Sequence, residues 1–100
     1  MCWFLTIMSK KNLYKYRNQI DKLDNKIFIL IKKRTHVVKH ILSLKKFKNQ
    51  IIDRKRINEI LKKIKKKSIK NKIDPKITRK IWKSMILSYA DFERRNFRRK

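Results

Sequence analysis

Residues 16–48 read YRNQIDKLDNKIFILIKKRTHVVKHILSLKKFK, and their spacing decides the fold. Apolar residues recur at three- and four-residue steps: Ile20, Leu23, Ile27, Leu30 or Ile31, Val37 or Val38, Ile41 and Leu44. That is the stripe of an amphipathic helix, and neither Gly nor Pro interrupts it. At ~1.5 Å per residue the helix is roughly 45–50 Å long, more than a monomer of this size can cover. Two cations break the apolar pattern. Arg34 falls between Ile31 and the Val37/Val38 pair, and Lys45 follows eleven residues later. Eleven residues make close to three turns, so both project from nearly one face. A cation on a core-facing stripe is costly unless an anion meets it there. The helix is therefore expected to hold an anion inside a helical bundle.

Working outward, 100 residues suffice for one domain, and 41% hydrophobic content can supply a core. Gly is absent and Pro75 is the single proline, so β-hairpins lack their usual turn residues and the fold class is all-α. Formal net charge is +25, from 32 basic and 7 acidic residues. Such charge suits a nucleic-acid or anionic-membrane partner, but lysine is abundant everywhere in the chain, and basic charge alone says little about function. The single cysteine, Cys2, allows no intramolecular disulfide and no cysteine metal site, which fits a reducing cytoplasm. Residues 1–8, MCWFLTIM, are apolar but too short to span a membrane, and they lack the flanks of a signal peptide. They are read as an N-terminal extension, with residues 9–100 as one helical domain.

Three helices are expected. The first starts between Ser9, a possible N-cap, and Leu13, and runs to about Phe47; a polar break follows at Lys48-Asn49-Gln50. The second begins near Ile52 or Asp53, with Asp53 as N-cap or first-turn acid. Its apolar positions are Ile57, Ile60, Leu61, Ile64 and Ile69, and the lysine run from Lys62 to Lys72 is read as a solvated face and a frayed end. The third has the clearest start, Asp74 as N-cap and Pro75 at the first helical position. Its apolar set is Ile77, Ile81, Trp82, Met85, Ile86, Tyr89, Phe92 and Phe97.

Several chemistries can be set aside. His36 and His40 stand at i, i+4, but no glutamate follows His36 and lysines crowd the pair, so they are read as ordinary helix-surface histidines and no metal is expected. There is no Ser/His/Asp set, no glycine-rich phosphate loop and no paired carboxylates at a working spacing. Trp82 and Tyr89 at i, i+7 read as core. The aromatics lie on the apolar stripe and not among the lysines, which argues against nucleic acid held on a stacking platform.

A spaced polar set remains: Arg17, Arg34, Lys45, Asp53, Arg56 and Glu93. The order Arg17, Ile20, Asp21, Leu23, Asp24, then Arg34 and Lys45, resembles the all-helical chorismate mutase family. Asp53-Arg54-Lys55-Arg56-Ile57, Ile73-Asp74-Pro75 and Ile81-Trp82 with Glu93 extend the likeness over residues 9–97. The resemblance implies an intertwined helical dimer that converts chorismate to prephenate without a cofactor. It implies that Arg34 binds a substrate carboxylate and Lys45 reaches the ether oxygen and a carboxylate. Asp53 and Arg56 would bracket the substrate, and Glu93 stands where the family usually has a glutamine that contacts the ether oxygen. Arg17 lies seventeen residues before Arg34, roughly 25 Å along one helix, so it is expected to serve the other subunit's site.

Two departures matter. Ile57 stands where the family often has a glutamate, and Glu93 can donate to an ether oxygen only when protonated. Ile57, Trp82 and Tyr89 are also similar to features of the related isochorismate-pyruvate lyases. An alternative of another class is a non-catalytic basic helical protein that binds nucleic acid, with affinity falling steeply as salt rises.

Overall fold

The computed structural model describes residues 10–46 and 53–97. It consists of three helices: α1, Lys10–Leu44; α2, Arg54–Lys70; and α3, Pro75–Asn96. The described residues contain no strand, and the all-α class with a very long first helix holds. The N-terminal extension, the Ser9 cap, Phe47, the polar break at 48–50 and Ile52 lie outside the described residues. The chain divides into two compact units, Met1–His36 and Val37–Lys100.

In the first unit, α1 is exposed over almost its whole described length. Leu13, Arg34 and Thr35 are half-buried. Ile20, Leu23 and Ile27 are each more than 50% exposed, and Phe28 reaches 70%. From Ile27 to Ile31 the helix is apolar on every side, a composition ordinarily found where a helix is enclosed. At 35 residues, α1 is about 52 Å long. It ends at Leu44, short of the expected Phe47, and the Lys45 N–H donates to the Leu42 carbonyl at 3.1 Å to tighten the last turn.

In the second unit, α2 and α3 pack as a hairpin. Asp53 caps α2, its Oδ1 accepting the Arg56 N–H at 3.0 Å, and Asp74 caps α3 by accepting the Lys76 N–H at 2.9 Å. Pro75 fills the first position of α3, where no amide hydrogen is needed. The end of α2 is a defined stop and not the frayed end the lysine run suggests. Ile73 N–H bonds to the Ser68 carbonyl at 2.9 Å and Lys72 N–H to Ile69 at 3.2 Å, closing a Schellman turn. Lys72 takes φ 57°, the left-handed conformation that glycine usually supplies and that this glycine-free chain gives to a lysine.

The core is small: Val38, Ile86 and Ala90 are its buried apolar residues. Two expectations about it need correction. Ile69 is 60% exposed, and the buried position on α2 belongs to Ser68, which continues the 57–61–64 spacing. The Ser68 and Thr78 hydroxyls share a hydrogen bond at 2.7 Å in which either can donate, and each also lies within reach of a carbonyl of its own helix, Ile64 at 2.6 Å from Ser68 and Pro75 at 3.3 Å from Thr78. That pair fixes the phase of α3, which buries the side carrying Ile86, Ala90 and Glu93 and leaves Ile77 and Ile81 more than half exposed. Trp82, Met85, Tyr89, Phe92 and Phe97 are half-buried.

Candidate active site

Lys45 and Glu93 are 48 residues apart in sequence and meet in the second unit. Lys45 leaves the chain just beyond the last turn of α1. Glu93 sits on the buried side of α3 with Ile86 and Ala90, at i, i+4, i+7 spacing. The Lys45 Nζ lies 3.2 Å from both Glu93 carboxylate oxygens. The side chains are 19% and 9% exposed.

This burial separates the pair from the other ion pairs. Arg56–Glu59 spans 3.9 Å with both side chains at least 50% exposed, and Arg95–Asp91, at 2.9 Å, is about equally open to water. Exposed pairs of that kind contribute little to stability. A shielded pair is different, since each charge depends on its partner for what water no longer provides. The chain has seven acidic residues in all, and Glu93 is the one that is buried. One carboxylate of so few is placed where it holds one lysine.

The other candidates are distributed as follows. Arg34, on α1 in the first unit, is half-buried, whereas Lys32 and Lys33 beside it are exposed. Arg17 is exposed on α1. Asp53 and Arg56 are exposed at the first turn of α2, joined through the cap hydrogen bond. Arg56 also borders a groove of about 410 Å³ along α2, whose floor is Ile60 and Ile64 and whose rim carries Lys63, Lys66 and Lys67. A larger concavity of about 660 Å³ lies against the first turns of α1, from Lys10 to Lys22, and contains none of the candidates.

Among the described residues, no three or more His, Cys, Asp or Glu gather into a metal-binding group, and no helix is long and apolar enough to cross a membrane. His36 and His40 are exposed. The sequence reading missed the buried Ser68–Thr78 pair. The signal was available, because 57, 61, 64 and 68 keep the same four-three-four spacing and end on a serine.

Chemically, the Lys45–Glu93 pair is a cation held in a sheltered place by a carboxylate. Such a cation can accept a carboxylate or a developing oxyanion if the internal carboxylate relaxes its hold. A profile of the chorismate mutase type II family matches residues 16–94, which takes in all six candidates. No curated protein and no solved structure matches the chain. On that span, and with a helical fold of the expected order, the chain belongs to the chorismate mutase type II family.

Proposed function

We propose that the chain is a chorismate mutase of the cytoplasm, rearranging chorismate to prephenate in aromatic amino acid biosynthesis. The observation that carries this reading is the sheltered Lys45, held by both oxygens of the one buried acid, in a chain of this family.

The reaction is unimolecular: the ether C–O bond breaks as a new C–C bond forms, and no proton, electron or group is exchanged with the protein. The work left to the protein is to fold a flexible dianion into a compact, chair-like arrangement and to stabilise charge on the ether oxygen. Arg34 binds one carboxylate and Lys45 reaches the other, while Arg56 brackets the substrate from α2; guanidinium groups fix a carboxylate in position as well as neutralise it. Asp53 closes the side next to Arg56. Lys45 meets the ether oxygen, where negative charge grows as the bond breaks, and so favours the transition state over the bound substrate.

Glu93 sets the conditions. Ionised, it neutralises Lys45 and repels the oxygen; protonated, it releases the lysine and donates a hydrogen bond of its own.

The uncovered stripe of α1 supports an intertwined dimer. Ile20, Leu23, Ile27 and the all-round apolar segment up to Ile31 are exposed among the described residues of the first unit, and a second copy supplies a cover. Arg17, too far along α1 to share a small ligand with its own Arg34, then serves the partner's site.

The test is turnover of chorismate by the purified chain and by Lys45→Ala. Removing one oxyanion-stabilising group costs about 10²–10³ in kcat in other enzymes, and a loss of that size is expected. A wild-type chain inactive at every pH from 4 to 8, or a Lys45→Ala variant with unchanged turnover, overturns the reading. Ile57, half-buried where a glutamate would contact the substrate hydroxyl, favours running isochorismate alongside. Pyruvate release from it, without prephenate from chorismate, would assign the same cationic cage to the lyase reaction.

A further inference from the structure

We propose that the solvent face of α2 is a docking surface for double-stranded nucleic acid, engaged through its phosphates and without sequence preference. This inference is independent of the catalytic reading.

Over its 17 residues α2 carries nine cations and a single acid, Glu59. All nine cations are exposed. Glu59 lies near Arg56, and among the described residues no acid pairs with Lys62, Lys63, Lys65, Lys66, Lys67 or Lys70. Several of these lysines stand three or four residues apart, as in Lys62–Lys66, Lys63–Lys67 and Lys66–Lys70. Like charges at that spacing oppose the helix that carries them. The free protein thus keeps a helix under electrostatic strain that a ligand with repeated negative charge would relieve.

The distribution of charge selects the kind of polyanion. At 100° per residue the cations spread over roughly 220° of the α2 circumference, on both sides of the stripe formed by the half-buried Ile57, Leu61 and Ile64 and the buried Ser68. A flat anionic surface meets only one side of such a helix. Phosphates flanking a duplex groove approach it from both sides, and the major groove admits a helix. The exposed face offers little to insert into an acyl layer, since α2 has no aromatic residue and its one strongly exposed large apolar side chain is Ile69. The missing aromatics also speak against single strands, which are held largely by stacking. Phosphate contact to a duplex needs no stacking platform. Base edges would contribute nothing, because lysines gripping phosphates fix position without reading sequence.

The test is fluorescence anisotropy of the full chain with a labelled random-sequence duplex of about 20 base pairs, over about 50–200 mM KCl. Wild type should bind with log K falling linearly in log salt, at close to one unit of slope per phosphate neutralised. Replacing Lys62, Lys65, Lys66 and Lys70 with Gln keeps good helix formers on α2, which circular dichroism checks. It should weaken binding at least about 10-fold at 100 mM salt and flatten the slope by about 3–4 units. Replacing the same four with Arg should preserve both. Replacing Lys10, Lys15, Lys22 and Lys26 of α1 with Gln removes equal charge and should change affinity less than about 3-fold. Equal losses from the α1 and α2 sets would reduce the effect to diffuse net charge and overturn the proposal. So would absence of duplex binding at 100 mM salt, or tighter α2-dependent binding to phosphatidylserine vesicles than to the duplex.

Discussion

At the scale of single residues, the Lys45–Glu93 contact joins stability to chemistry. Glu93→Gln leaves a neutral amide beside a cation that is 19% exposed, so the fold should lose about 1–3 kcal/mol by denaturant unfolding. The same change should raise chorismate turnover at neutral pH, because an amide donates a hydrogen bond where a carboxylate cannot. A Glu93→Gln protein that folds but is inactive at every pH would argue against a hydrogen bond donated from position 93 to the ether oxygen. Lys72 offers a cleaner stability test. Its φ of 57° suits glycine, so Lys72→Gly should stabilise the protein by about 0.5–1 kcal/mol despite the entropy that glycine adds to the unfolded chain. A shift in the opposite direction would mean that the turn is not held in this conformation in solution. Neither residue was equally visible in sequence. Lys45 and Glu93 could be picked out as charges at marked positions. The turn at Lys72 could not, because the usual glycine signal is absent from the whole chain.

At the scale of elements, local chemistry explains what was legible. Asp53 and Asp74 announce helix starts through hydrogen bonds made within three residues, and Pro75 by filling a position that needs no amide hydrogen, so sequence suffices to find them. Asp74→Ala should cost about 1 kcal/mol, measurable as a fall in the urea midpoint with unchanged m-value. The same variant should leave the α1 end of the chain unaffected in hydrogen exchange. Helix phase was harder to read. Apolar residues crowd several sides of α2 and α3, and hydrophobicity alone does not choose between Ser68 and Ile69, or between the Thr78 and Ile77 sides of α3. The Ser68–Thr78 hydrogen bond joins the chosen sides at the hairpin's packed face; the four-three-four spacing points to Ser68, but no spacing names Thr78 as its partner across the turn. For the same reason the helix-2 lysine run read as frayed, although the backbone bonds after it form a closed turn.

At the scale of the whole molecule, charge dominates. A net +25 on 100 residues repels itself, and pairing two copies doubles the burden. Exposed charges are screened over about 8 Å at physiological salt and over about 30 Å at 0.01 M. Sedimentation equilibrium should therefore show dimer at moderate salt and dissociation as salt falls. Phosphate or sulfate should raise the melting temperature by several degrees over chloride of equal ionic strength, since ions that bind the folded form stabilise it by mass action. A melting temperature indifferent to both salt and anion would show that repulsion is not what limits the fold. The stripe on α1 has a consequence of its own. A helix that lacks an internal cover and carries a lysine or arginine every few residues is a ready substrate for proteases that cut after basic residues. If a second copy covers that stripe, concentrated protein should resist limited trypsin digestion there, whereas dilute protein should be cut first along α1 while the capped hairpin of α2 and α3 persists.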